Sequence, residues 1–321
     1  MNVRVQNVSK YKKMSKYGIY IVLFALIGFF SIVADGFFSS TNFFNILRQV
    51  AVYGISAVGM TMVIITGGID ISVGSMMGAA AVGCASLMVA GLNPILAIFL
   101  VLTLGLFVGL FNGFFVYEVG IPPMIATLAT MSILRGSAYI ISGGLPVYGF
   151  PSSFKFLGQG YLGPVPIPVI IMGICFILGY MILEMTSFGR YIYGIGSNRE
   201  ASRLSGVNVR KVMYSVYGIC GMLAALGGIV LLSRVNSGQP KAGETYEMDI
   251  ITAVVLGGVS TTGGEGKITH VIAGLLVMGV LLNGMILMNI PDYYQRVVKG
   301  AVLLPAISYD MTSQKSIARD A

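Results

Sequence analysis

Between Asp70 and Glu118 the chain runs for 47 residues without one charged side chain. A helix needs about 20 apolar residues to cross a bilayer core, so the run is long enough for two crossings. Gly91-Leu92-Asn93-Pro94 is a turn signal inside it, and it divides the run into spans at 71–90 and 95–117. Backbone groups in lipid must be satisfied within their own segment, which makes these spans helices. The remainder has the same character, with 56% hydrophobic and 10% charged residues and a mean hydropathy of +0.86. Soluble domains carry roughly 25% charged residues, and a soluble globule could not hide this much apolar surface.

Charges and Gly/Pro punctuation predict an all-α, polytopic membrane protein of about ten transmembrane helices, forming one domain over residues 1–321. The predicted spans are 17–34, 47–66, 71–90, 95–117, 123–142, 165–183, 212–233, 247–261, 268–288 and 293–310. Only 15 uncharged residues separate Asp249 from Glu265, so 247–261 is expected to be short, tilted or re-entrant. The stretch 143–164 is rich in Gly and Pro and carries Lys155, which marks it as a loop. The 43 glycines, about twice the usual ~7%, suit helices that approach each other closely in lipid. Tyr17 to Ala34 is too long for a secretory h-region and lacks a small-residue cleavage site, so it reads as an uncleaved first helix.

The net charge of +8 does not mark a nucleic-acid binder, because the basic residues flank apolar runs. With the N-terminus inside, 13 of the 20 basic residues fall in inside segments, Lys315 and Arg319 among them. Six fall outside (Arg48, Lys155, Arg234, Lys241, Arg296 and Lys299), and Arg135 lies within a span. The positive-inside rule therefore predicts cytoplasmic tails at 1–16 and 311–321 and a cytoplasmic segment at 186–211. Cys84, Cys175 and Cys220 lie in apolar runs without metal or redox spacing, and His270 has no partner nearby. No metal or cofactor is expected.

The cytoplasmic segment holds Ser197-Asn198-Arg199-Glu200, whose spacing reads as a capping box with Ser197 at the cap and Glu200 reaching back. Gly206 suits the left-handed position beyond a helix end. The two-turn helix between them places Ala201 and Leu204 on one face and Arg199 and Arg203 on another. So short a helix is marginal alone; either a cytoplasmic partner holds it, or it is a loop whose arginines enforce topology.

Gly67, Gly68, Asp70 and Ser72 lie between the second and third spans. They read as a capped tight turn, with Asp70, Ser72 and Ser75 serving the next helix, or as a hinge or gate at the cytoplasmic mouth. Thr127 and Thr130 share one face of the fifth span. With Asn112 and Asn283 they are candidates either for lining a path or for gluing helices together. Gly257 to Lys267 is glycine-dense, but Ile268 after Lys267 breaks the phosphate-loop pattern, so energy must come from elsewhere. No nucleophile–base set for an enzyme is found, and the spans carry too few carboxylates for a proton relay of the kind an ion-coupled secondary transporter would use.

Four stretches carry a resemblance: Gly67 to Ser75, Pro123 to Leu128, Gly189 to Gly206, and Gly243 to Gly258 with Gly263-Gly264. Together they resemble the permease subunits of bacterial ATP-binding-cassette sugar importers of the ribose, xylose, arabinose and galactose type. The resemblance implies a homodimer of ten-helix permeases in the inner membrane, bound to cytoplasmic ATPase subunits and fed by a periplasmic sugar-binding protein. It also implies that the helix at Asn198 to Gly206 is the coupling helix. The solute it implies is a sugar or a sugar-like molecule such as an autoinducer.

Overall fold

The computed structural model describes residues 2–320, and the side chains of residues 18–308, 310 and 311. Of the expected tails 1–16 and 311–321, only Met311 falls within that side-chain range; Lys315 and Arg319 lie outside it. The helices are α1 (Asn2–Val33), α2 (Ser40–Ile65), α3 (Val73–Val89), α4 (Pro94–Tyr117), α5 (Pro123–Ser142), α6 (Phe156–Gln159), α7 (Ile167–Met185), α8 (Ser187–Ser197), α9 (Arg199–Leu204), α10 (Val209–Val235), α11 (Tyr246–Leu256), α12 (Ile268–Leu287) and α13 (Asp292–Asp320). A hairpin of β1 (Tyr161–Leu162) and β2 (Val165–Pro166) precedes α7. Among the described residues six helices are long and apolar enough to cross a membrane: α2, α4, α5, α7, α10 and α12. Gly18–Val33 and α3 are shorter apolar helices.

Local chemistry fixes several helix ends. Ser39 caps α2 by accepting from the Asn42 amide, and Asn93 caps α4 by accepting from the Ile95 amide, with Pro94 in the first turn. Gly143, at φ 62°, ends α5 in the left-handed region.

The bundle is layered. The apolar window of α2 is 89% buried and that of α4 only 22%, so α2 is central and α4 peripheral. On α4, Phe99, Phe107 and Phe111 point outward, where lipid replaces the missing protein neighbours. Its inner face carries Gly105 against Gly221, Gly109 against Gly218 and Gly113 against Tyr214 of α10; a Cβ at Gly109 would run into the Tyr217 carbonyl. Without water to drive apolar faces together, such close backbone approach supplies the packing.

The two ends of the bundle separate cleanly. At one, Val147 and Gly238 exchange backbone hydrogen bonds, tying the loop that carries the hairpin to the segment after α10. At the other, the Gly264 amide donates to the Ile65 carbonyl, and Tyr193 of α8 donates to the Gly266 carbonyl at 2.9 Å. Burial, and after it Glu184, pushes the Tyr193 hydroxyl up to about 12, so it remains a donor at any physiological pH. We call these the hairpin end and the α9 end.

Three expectations change, and the short helix expected within 247–261 is found. The second span begins at Ser40 rather than 47, because Arg48 lies within α2 and stacks over the Tyr161 ring at 4.6 Å. The stretch 143–164 is a loop, but one folded into a short 3-10 turn, α6 and the hairpin. Helix α8, unforeseen, fills residues 187–197. Finally, α11 has 11 residues, about 16 Å at 1.5 Å per residue, against a core of about 30 Å. It is a half-helix. The turns before it descend along α3 from Gly238, beside Ala81 and Ala85, to Gly243, beside Gly74. Arg135 of α5 donates to the Pro240 and Ala242 carbonyls, each at 3.1 Å, so this intramembrane arginine satisfies irregular backbone rather than reaching for the surface.

Candidate functional site: a polar interior and an exposed short helix

Residues expected in two separate roles come together at the α9 end. The connection from α2 to α3 folds back so that Asp70 is 1% exposed. Its Oδ1 accepts from the Ser72 amide at 2.9 Å and the Ser72 hydroxyl at 2.6 Å. Asn112 of α4 donates to Ser72 Oγ at 3.1 Å, and Thr130 of α5 donates to Asn112 Oδ1 at 2.6 Å. Thr127 accepts from the Ile71 amide at 3.1 Å. One buried network therefore joins the α2–α3 connection to α4 and α5. Asp70 serves Ser72 rather than the free amides of α3, and Ser72 makes no side-chain cap. Gly67 has φ 82°, and a Cβ on Gly68 would strike the Tyr217 hydroxyl, so both glycines are required by the turn.

Asn283 lies elsewhere. It exchanges two amide hydrogen bonds with Asn42, each 2.9 Å, fastening α12 to α2. Asn283→Ala should strand a buried amide and cost about 1–3 kcal/mol, whereas Asn42 and Asn283 both changed to Leu should recover most of it. Thermal unfolding of the two variants in detergent checks this.

The segment 197–206 is built differently from a capping box. Ser197 closes α8, and Asn198 is the cap of α9, its Oδ1 accepting from the Ala201 amide at 2.9 Å. Glu200 does not reach back. It pairs with Arg203, whose hydrogen bond holds the Glu200 carboxyl below its usual range. Arg199 stacks over Tyr117 at 4.8 Å. Ala201 is exposed and Leu204 is 76% exposed, so α9 presents its small apolar face to the surroundings. Gly206, at φ 84°, ends the helix in the left-handed region as expected. Asn198→Ala should cost α9 about 0.5–2 kcal/mol and Ser197→Ala much less; amide exchange across residues 199–204 reads the difference.

A third arrangement escaped the sequence reading. Asp249 of α11 and Lys299 of α13 form an ion pair at 2.8 Å, with side chains 1% and 11% exposed. Removing one partner of such a pair leaves a buried charge and costs about 3–5 kcal/mol. Charges served as span boundaries in the sequence, so both were read as residues flanking apolar runs although they fall inside the spans predicted at 247–261 and 293–310. The available signal was that each stands among apolar neighbours with an opposite charge to meet. The buried carboxylates Asp249 and Asp70 have separate partners, a cation and a hydroxyl–amide set, and these bonds form no chain between them. Above the pair lies a cavity of about 360 Å³. Its floor holds Tyr53, Tyr246 and Asp249, and its rim the exposed charges Glu244, Asp292 and Arg296.

A layered helical bundle with a polar interior, lipid-facing outer helices and a broken crossing is a multi-pass membrane protein of the transport-permease class. The family profile described as "Branched-chain amino acid transport system / permease component" matches residues 42–307, and the chain belongs to that family. It is 42% identical to the ribose import permease protein RbsC of Bacillus subtilis, over 92% of this chain and 93% of the relative. It is 43% identical to the protein of that name from Escherichia coli K12, with coverage of 92% and 93%. The xylose transport system permease protein XylH of Haemophilus influenzae is 32% identical, with coverage of 93% and 97%. No solved structure matches the chain.

Proposed function

We propose that the chain is the membrane-spanning permease subunit of an ATP-driven importer for a monosaccharide, with ribose as the sugar. The observation that carries this reading is the 42% identity to a ribose import permease across almost the whole length of both chains. The protein works as a homodimer in the lipid of the bacterial inner membrane. It docks a cytoplasmic ATPase subunit on α9 and receives sugar from a periplasmic binding protein at the hairpin end. Ten crossings, counting α11 together with the turns that lead into it, leave both termini in the cytoplasm.

Within this reading α9 couples ATP hydrolysis to the bundle through Ala201, Leu204 and the Arg199 and Arg203 side chains, with Asn198 and Gly206 fixing its ends. Ser197, packed against Gly264, links that motion to the glycine-rich turn. The network of Asp70, Ser72, Asn112, Thr127 and Thr130 is the latch at the inner mouth of the path, and Gly67 and Gly68 are its hinge. Asn283 keeps its helix in register.

The test is reconstitution of the permease with its ATPase and binding protein in liposomes. ATP-dependent uptake of labelled ribose is expected, and equal uptake without ATP would sink the importer reading. Orientation is checked separately by single cysteines. Positions 155 and 241 should label from the periplasm and position 200 only after permeabilisation.

A further inference from the structure

We propose that the cavity over the Asp249–Lys299 pair is a binding site for one monosaccharide, held within the permease on its way across; this rests on the reading of the chain as a sugar permease. The site is built at the break in the bundle, where the segment after α10 descends beside α3 and turns into α11. Two groups in its floor are aimed at nothing in the protein. The Tyr53 hydroxyl and Asp249 Oδ1 are both buried and both lack a hydrogen-bond partner, although Tyr53 is only 2% and Asp249 only 1% exposed. Buried polar atoms are almost always paired, so two vacant ones in one cavity point to a visiting ligand. Thr245, which also lines it, has φ 69°, a strained conformation for a β-branched residue.

The chemistry selects the ligand class. A sugar hydroxyl both donates and accepts, and the walls offer both capacities: the Asp249 carboxylate, the Lys299 ammonium, the Tyr53 hydroxyl and the amides of Gln49 and Gln295. Asp249 and Lys299 neutralise one another, so no net charge awaits a charged solute. Leu282 is the one aliphatic side chain among the described residues lining the cavity, which leaves nothing to receive a branched apolar side chain. Tyr246, half-buried and held edge to face by the Tyr53 ring at 6.2 Å, supplies an aromatic surface for the less polar side of a sugar ring. A volume of about 360 Å³ lies at the lower end of the ~300–1,000 Å³ range of ligand pockets, which suits one small ring. The exposed charges of the rim stand at the hairpin end, where the sugar arrives.

The experiment uses the full chain in lipid nanodiscs, titrated with D-ribose and with D-xylose by saturation-transfer NMR, beside liposome uptake by the assembled importer. The expected result is saturable transfer to at least one sugar. Tyr53→Phe, which removes only the hydroxyl, should weaken it at least threefold, and Asp249→Asn at least tenfold. Ser132→Ala, exposed on α5 and outside the cavity lining, should leave the sugar affinity at the wild-type value. Because Asp249→Asn could unfold the chain by stranding Lys299, Tyr53→Phe carries the decision. No saturable transfer with either sugar, or identical affinity in Tyr53→Phe, overturns the proposal. So does a Tyr53→Phe chain that binds sugar normally but loses affinity for the binding protein, since the cavity is then a docking surface. Wild-type uptake without sugar binding in the cavity removes this site and leaves the importer reading standing. Absence of uptake in the wild type removes the importer reading instead.

Discussion

Replacing Ala201 by Trp is expected to abolish sugar uptake, lowering it more than tenfold, while the protein still inserts at normal abundance. Ala201 is exposed on α9 beside Leu204, outside every predicted span. Helix α9 has six residues, far below the ~12–15 at which a helix begins to hold itself in water. What fixes it is its cap on Asn198, the left-handed Gly206, and whatever covers its apolar face. A bulky indole on that face keeps the helix but spoils the surface a partner would grip. The measurement is co-purification of the ATPase together with sugar-stimulated ATP hydrolysis; both should fall together. A variant that retained the ATPase and transported normally would return this segment to the status of a topogenic loop.

Gly109→Leu is expected to remove the protein from the membrane altogether. The position faces the Tyr217 carbonyl and Gly218 across the α4–α10 crossing, and the first atom of any side chain collides with backbone. Backbone cannot swing aside as a flexible side chain can. The cost therefore lies at or beyond the upper end of the ~1–3 kcal/mol typical of overpacking, multiplied by further branches of the leucine. Gly136→Leu is the control: it sits on α5, and a Cβ there meets nothing within 4 Å. It should be extracted in wild-type yield and monodispersity. Equal behaviour of the two variants in size-exclusion chromatography would show that the glycine crossing does not hold these helices.

Most of the long helices were legible because apolar runs in lipid leave the backbone one solution. The stretches predicted at 71–90, 95–117, 123–142 and 268–288 match helices at 73–89, 94–117, 123–142 and 268–287. What was hidden has physical causes. Gly189, Gly194 and Gly196 made 187–197 look unlike a helix, yet a Cβ at Gly189 or Gly196 would meet the carbonyls of Leu183 or Ile65; these glycines buy proximity, not flexibility. Ser197 and Asn198 are both good caps, and sequence cannot say which of two adjacent ones leaves the preceding helix. The polar network was half legible. Asp70, Ser72, Asn112, Thr127 and Thr130 were each singled out, but contacts across 40 or more residues, such as Asn112 to Ser72, exist only once the helices pack. Asp249 and Lys299 were hidden by the very rule that found the spans.

The break before α11 also constrains how the chain is made. A helix of 11 residues offers the insertion machinery too short a segment to release sideways into lipid on its own. The turns from Gly238 to Gly243 need the flank of α3 and the guanidinium of Arg135 before their carbonyls are satisfied. Residues 236–256 must therefore be threaded after α3 and α5 are already standing, and after α12 has emerged to pin the far side. Assembly is therefore expected to be ordered in time: α10 and α12 are long and apolar enough to be released singly, whereas residues 236–256 fold into the scaffold between them, and a nascent chain truncated before residue 268 is expected to leave that segment misplaced.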